Sequence, residues 1–399
     1  MPFDVGRVAR RIEALADYYA ERAPGLAASA KQGWELLLGL SREVLQMRAA
    51  DVKQQYVLAY PVESLAPARA IPPYPPAYRV LASDGSSIAP DPTFDVPYAV
   101  IHLGVTALDY HPAACRTHYE ATLLFEEDEL ALVTEDGSEV EMEGVVVDTL
   151  RAHAELKALW EWAQDQPPDP AGRPVLACMD AILLWRHRGR GRAHQALHKE
   201  YIGRSIYLLE QFRQAQVPII SFTSAPHHRE VVMTLMAHIC SAGVPQDCAH
   251  CTHADDERCL TLRDVLDRQL FAYLPQNGRS AVFRAVHQGD EHWRIPEGMH
   301  DRDPQLAFFY LKLGDTVARV EFPLWVWEAG LLDFVHGALL DQCRPLRTED
   351  KDYPEVLALA HNEAILRSGD RRAIETLLVE ALARRHIFPA HSPKAEMKH

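Results

Sequence analysis

Long apolar runs are missing from this chain. No stretch reaches the roughly 18 consecutive apolar residues that a membrane-spanning helix needs, so no membrane span is expected. The N-terminus, MPFDVGRVARRIEALADYYAER, alternates charged and apolar residues and lacks the apolar centre of a signal peptide, so a cytoplasmic location is expected. Glycine is sparse, 20 in 399 residues. No Gly-rich nucleotide loop occurs, and no second Asp-x-Gly turn of the kind an actin-like ATPase needs. Basic excess is absent too: 41 Lys and Arg face 56 Asp and Glu, for a net charge of −15. That excludes a general nucleic-acid coat protein, which would be basic overall, but not an enzyme with a local basic channel. Seven cysteines in such a compartment suit free thiols or metal ligands rather than disulfides. No internal repeat is visible.

What remains is ordinary globular chemistry, with 48% hydrophobic and 24% charged residues and length for one large domain or two modest ones. Residues 1–56 read as helices, with Leu15, Ala16, Tyr19, Trp34, Leu37, Leu38 and Leu45 on a 3.6-residue stripe. Six prolines between Pro61 and Pro76 mark a connector. Strands are predicted at Tyr78–Ser83, Tyr98–Tyr110 and Thr117–Phe125, then a helix at Val147–Ala163, a strand at Val175–Trp185 and a helix at Leu197–Gln214. A strand at Val217–Thr223 and a helix at Arg229–Cys240 follow. This order is α/β, with an antiparallel start and a parallel continuation. Further strands are expected at Ser280–His287, Phe308–Lys312 and Thr316–Phe322, with helices at Leu324–Leu339, Tyr353–Ser368 and Arg371–Arg385.

The run YRVLASDGSSIAP (Tyr78–Pro90) takes a buried strand into Asp84-Gly85-Ser86. Asp-Gly is a strong turn dipeptide, so Asp84 reads either as a turn former or as a metal ligand at a strand end. Asp180 closes VLACMD among apolar and small residues, where a carboxylate is expensive unless paired or metal-bound. Two carboxylates from adjacent strands can hold Mg²⁺ or Mn²⁺, and Glu155 on the intervening helix is a third candidate. Tyr353 and His361 are eight residues apart on a predicted helix, hence on one side of it. His361 reads as an ordinary core histidine, or as a ligand or acid–base group if a metal is near. The run RHRGRGRAHQALHK supplies Arg186, Arg188, Arg190 and Arg192 as a cationic loop for DNA phosphate, or a merely solvated one, with Lys199 a further phosphate contact at the start of the next helix. Cys240, Cys248, Cys251 and Cys259 form C-x7-C-x2-C-x7-C, which suits structural Zn²⁺ or an iron–sulfur cluster. Cys115, Cys178 and Cys343 read as buried thiols.

In this order, Asp84-Gly85-Ser86, Arg151 with Glu155, Asp180, and Tyr353-Pro354 with His361 resemble the NurA family of DNA-end-processing nucleases. Gly278-Arg279-Ser280, Tyr310-Leu311-Lys312 and Arg319-Val320-Glu321-Phe322-Pro323 add weaker matches. The second aspartate departs from the family, which has another D-G-S where this chain reads Asp180-Ala181-Ile182-Leu183. Glu155 is also far from Asp180 in sequence, with Glu120 the runner-up. The resemblance implies a ribonuclease H-like mixed sheet flanked by helices. An N-terminal helical region (1–60) would precede a nuclease domain at 77–390, with a Cys-rich insertion near 240–260 and a C-terminal helical part. It implies Asp84, Glu155, Asp180, Tyr353 and His361 as catalytic residues, with Asp84, Asp180 and His361 on Mn²⁺ or Mg²⁺. It also implies 5′-to-3′ exonuclease and single-strand endonuclease activity in end resection and DNA repair, a homodimer, and a hexameric HerA-type translocase as partner. Two other readings stay open: a non-catalytic adaptor of the translocase, and an actin-like or sugar-kinase-fold ATPase, which shares the core but needs the missing Gly-rich loop.

Overall fold

The computed structural model describes residues 5–51, 57–165, 172–180, 182–184, 190–240, 261–287, 303–344 and 352–389. Helices α1 (Val5–Gly39) and α2 (Arg42–Asp51) come first, then strands β1 (Val57–Pro61), β2 (Tyr78–Ile88), β3 (Ala99–Tyr110) and β4 (Ala114–Leu124). Helix α3 (Glu127–Leu130) leads into the hairpin of β5 (Ala131–Val133) and β6 (Glu139–Glu141). Helix α4 (Gly144–Asp165), strand β7 (Val175–Asp180), helix α5 (Arg192–Gln214), strand β8 (Ile219–Thr223) and helix α6 (Glu230–Ile239) follow. The remainder comprises α7 (Asp267–Leu270), β9 (Phe283–His287), β10 (Leu306–Leu313), β11 (Thr316–Pro323), α8 (Trp325–Glu328), α9 (Leu332–Gln342), α10 (Glu355–Ala364) and α11 (Ser368–Ala383).

The chain forms two compact units. One gathers the described residues of 1–71, 224–290 and 307–320. Its core joins Trp34, Leu37 and Leu45 to Val232 and Leu235 of α6, and to Phe271, Phe283, Phe308 and Tyr310. Strands β1, β9 and β10 pair antiparallel. Asp267, fully buried, accepts hydrogen bonds from the Val231 and Val232 amides (3.1 and 2.9 Å) and from the Tyr310 hydroxyl (2.9 Å). It thereby satisfies two of the orphan amides that open α6. The predicted N-terminal stripe is only half right. Trp34, Leu37 and Leu45 are core, whereas Leu15 and Tyr19 are exposed.

The second unit gathers the described residues of 72–223, 303–306 and 321–389. Its strands run in the order β8-β7-β2-β3-β4. Strands β2, β3 and β4 form an antiparallel meander, and β7 and β8 extend it in parallel to β2. Three antiparallel strands continued by two parallel ones are the ribonuclease H-like arrangement, as expected. Alternation along the strands assigns the faces. Leu81 and Ala107 look toward α4 and α5, where they meet Leu156, Leu159, Ile206 and Phe212. Ile88 and Val100 look the other way, packing with Ile374 and Leu378 of α11.

Several predicted boundaries move. Asp84-Gly85-Ser86 is not a turn, because β3 pairs with β2 without a break from Tyr78 to Ile88. Strand β7 stops at Asp180 instead of reaching Trp185. The helix expected at Leu324–Leu339 is two, α8 and α9, separated at Gly330 with φ +72°. Helix α5 starts five residues earlier than expected, so Arg192 lies within it and not in a loop, while Lys199 is helical as expected. Cys178 and Cys343 are buried, but Cys115 is exposed on β4. Among the described residues no helix is long and apolar enough to cross a membrane.

Candidate active site

Register brings the two aspartates together. The last residue pair of the β2–β7 ladder is Ser83 with Met179, so Asp84 and Asp180 come next on adjacent parallel strands. Such strands lie about 4.8 Å apart. The two carboxylates therefore leave the same face at the same level, where β7 ends and β2 runs on with β3 alone. The carboxyl ends of parallel strands are where open α/β sheets bind ligands. Asp84 is half-buried and Asp180 exposed.

Glu155 approaches from the opposite face. Gly85 points toward α4, and a Cβ there would sit 2.6 Å from Glu155 Oε1 and 3.0 Å from Arg151 Cγ. The missing side chain is thus the space that admits the Glu155 carboxyl. Gly85 serves to make room, not to turn the chain. The Ser83 hydroxyl donates to the Glu155 carbonyl (2.9 Å) and pins this turn of α4 to β2. Arg151, one turn earlier, pairs with the Glu155 carboxylate and donates to the Gly85 carbonyl at 3.3 Å. Burial, helped by the negative charges of Asp84 and Asp180, pushes the Glu155 carboxyl up to about 8 against the pull of Arg151. Glu120, by contrast, lies exposed on β4.

Helix α10 brings His361. Gly104, opposite Asp84 on β3, lets the helix close onto the sheet: a Cβ there would meet the Ala360 carbonyl oxygen at 2.5 Å and the Ala364 nitrogen at 2.7 Å. His361 Nδ1 then lies 2.7 Å from Asp84 Oδ2. Tyr353 is not on this helix but just before it, ahead of the N-cap Pro354. Its hydroxyl is hydrogen-bonded to Asp180, and burial with the charges of Asp180 and Asp84 holds its pKa far above the usual phenol value. Its ring stands edge-on to Phe222, the neighbour of Asp180 on β8, at 5.8 Å.

A buried network that spacing does not reveal fixes the start of α10. Gln342 Oε1 accepts from the Val356 amide (3.0 Å), and its Nε2 donates to the hydroxyls of Tyr110 (2.7 Å) and Tyr78 (3.2 Å). Those hydroxyls donate onward to Glu355 (2.8 Å) and Asp341 (2.7 Å). At the other end of α10 the His102 ring lies 2.9 Å from the Ala364 carbonyl oxygen. The one sign in the sequence is a pair of tyrosines at the terminal positions of two buried strands, Tyr78 and Tyr110, and nothing points to Gln342.

Among the described residues no group of three or more His, Cys, Asp or Glu side chains is arranged to hold a metal ion as it stands. Glu155 is engaged by Arg151, and Asp84 by His361. The donor chemistry nevertheless fits a hard divalent cation: three carboxylates, one of them buried with its charge opposed by the other two. Lys199 lines a separate cavity of about 700 Å³ between α4 and α5, with His153, Lys157, Glu200, Arg204 and Tyr207. Arg190 is exposed. Arg186, Arg188, Cys248, Cys251 and Cys259 lie outside the described residues. Cys240 is the C-terminal cap of α6.

A NurA domain model matches residues 78–365. No curated protein matches the chain. Among solved structures, the chain is similar to NurA with manganese, at 12% identity over 78% of this chain and 91% of that one, TM-score 0.41. It is also similar to NurA bound to dAMP and manganese, at 9% identity over 78% and 90%, TM-score 0.34. The domain match spans well over half of the 399 residues, from the strand that carries Asp84 to the helix that carries His361, and the chain belongs to the NurA-domain family.

Proposed function

We propose that this protein is a metal-dependent DNA nuclease whose phosphodiester chemistry takes place beside Asp84, Asp180 and Glu155. The observation that carries the reading is the buried Glu155 carboxyl opposed by both aspartates at the end of β7. A cluster of like charge with one guanidinium to balance it is poorly compensated, and a divalent cation would relieve it. Asp84 and Asp180 would hold the ion from adjacent strands, and Glu155 would join them on release from Arg151. A divalent ion there supplies Lewis-acid stabilisation of a phosphoryl oxygen and lowers the pKa of bound water. His361 would take up or release a proton at Nδ1 beside Asp84, or serve as a nitrogen ligand, a role that favours Mn²⁺ over Mg²⁺. Tyr353 stays protonated and orients Asp180 through its hydroxyl. Arg190, Arg192 and Lys199, with Arg186 and Arg188, would contact DNA phosphates.

The similar NurA structures carry manganese and, in one case, dAMP, and for this chain the reading is Mn²⁺ and a deoxynucleotide product. The finer reading follows the family resemblance: 5′-to-3′ exonuclease and single-strand endonuclease activity in end resection, as a homodimer working with a hexameric HerA-type ATPase. For the four cysteines the reading is structural Zn²⁺ or an iron–sulfur cluster.

End-labelled single- and double-stranded DNA incubated with Mn²⁺, Mg²⁺ or EDTA tests the proposal. We expect metal-dependent cleavage that Asp84→Ala and Asp180→Ala each reduce by about 10²-fold or more, since the ion contributes several kcal/mol to the transition state. Wild-type rates in either variant would refute the site. DNA binding without cleavage, with the translocase present, would favour the adaptor reading, and ATP hydrolysis the ATPase reading.

A further inference from the structure

Strand β4 is an unusual edge. It pairs with β3 at every residue from Ala114 to Leu124, and among the described residues no strand pairs with its outer side. Nearly all of it is exposed, including Tyr119 at 66%. Protein edges of this length are normally blunted by proline, lysine, a bulge or a covering element, because free amides and carbonyls invite another strand. This strand, ACRTHYEATLL, has no proline or lysine, and its ladder with β3 has no bulge.

The charges it does carry are arranged symmetrically. Arg116 and Glu120 are its two charged residues, and each stands two positions from His118. We propose that β4 is a homodimer edge, pairing antiparallel with β4 of a second copy across a two-fold axis at His118. In that register Arg116 lies opposite the partner's Glu120, and Glu120 opposite the partner's Arg116, on one face of the joined sheet. Thr117 faces the partner's Tyr119 and Cys115 faces the partner's Ala121 on the other. Moving the axis by one residue removes both charge pairs: Arg116 would then face the partner's Thr122 or the partner's His118. An isologous contact of this kind closes at two subunits, whereas a head-to-tail contact does not. Arg116 also donates to Asp109 at 3.2 Å, but Asp109 is already gripped through two nitrogens by Arg79, and the Arg116 guanidinium has donors to share.

This deepens the homodimer reading and does not depend on the nuclease chemistry. The test has two parts, run on the full chain. Light scattering gives the mass. Ala121→Cys under mild oxidation then reads the register, since directly opposite residues of antiparallel strands lie about 4.5–5.5 Å apart at Cα, within disulfide reach. We expect a dimer, and a covalent dimer from Ala121→Cys that disappears when Cys115→Ser is added. Glu120→Arg should raise the dimer dissociation constant about tenfold, because two like-charged pairs replace two opposite ones. Adding Arg116→Glu should restore it. A monomeric mass would remove both the homodimer and the edge. A dimer that Ala121→Cys does not cross-link and Glu120→Arg does not weaken would remove the edge alone.

Discussion

A methyl group at Gly85 would have to share space with the Glu155 carboxyl, at 2.6 Å from Oε1, and with the Arg151 stem. Overpacking of this kind costs about 1–3 kcal/mol. We therefore expect Gly85→Ala to lower the denaturant midpoint and to impair cleavage by displacing Glu155. Gly144→Ala, where nothing stands within 4 Å of the added carbon, should do neither. Equal behaviour of the two variants would contradict the steric role.

Glu155 itself gives a pH signature in metal-free protein. Its carboxyl titrates near 8 in the folded chain against 4.5 as a free side chain. Between these values the folded chain holds a proton that the unfolded chain has lost, so stability falls as pH rises through that window. Below it both states are protonated and nothing is lost; above it the full penalty applies. Urea midpoints in EDTA at about pH 5 and pH 8.5 should separate for wild type by more than for Glu155→Gln. Equal separations in the two proteins would mean Glu155 is not buried as a neutral acid. The identities of Asp84, Glu155 and Asp180 could be read from the sequence because carboxylates bordering buried strands are conspicuous. The reason for Gly85 could not. A turn and a strand with a cavity beside it have the same residue there, and the side chain that fills the cavity comes from 70 residues away.

At the scale of elements, α10 is decisive, since it delivers His361 to Asp84 by resting directly on Gly104. The atoms that a Cβ at Gly104 would strike are two backbone atoms of α10, the Ala360 carbonyl oxygen and the Ala364 nitrogen, and the Glu363 Cβ, none of which can rotate away. Gly104→Ala should therefore lift the helix, with a loss of about 1–3 kcal/mol. Amide hydrogen exchange should accelerate across Glu355–Ala364 in this variant; unchanged protection would contradict the packing. Periodicity located most helices and strands to within a few residues. It failed where a partner decides the outcome. Strand β2 runs through Asp-Gly-Ser because β3 offers a ladder to its end. Strand β7 halts at Asp180, although apolar residues continue to Trp185. Tyr353 reaches Asp180 from a pre-helical turn, so helical spacing from His361 described the wrong geometry.

At the scale of the molecule, strand order is the strongest link between sequence and function. Three antiparallel strands followed by two parallel ones could be anticipated from the succession of elements, and it is this order that sets Asp84 beside Asp180. Chain order does not reveal that the described residues of 224–290 and 307–320 pack with the N-terminal helices. That grouping arises from long-range burial of Trp34 and Leu37 with Phe271 and Phe308. A net charge of −15 makes the carboxylate cluster a still poorer place for uncompensated charge. The central claim is therefore about an ion. Calorimetric titration of Mn²⁺ into the metal-free chain tests it most directly, using wild type, Asp84→Asn and Asp180→Asn. We expect saturable binding by wild type that either substitution weakens at least about tenfold, in line with the loss of one charged ligand. Binding of equal strength in all three proteins would contradict a metal site at the end of β7.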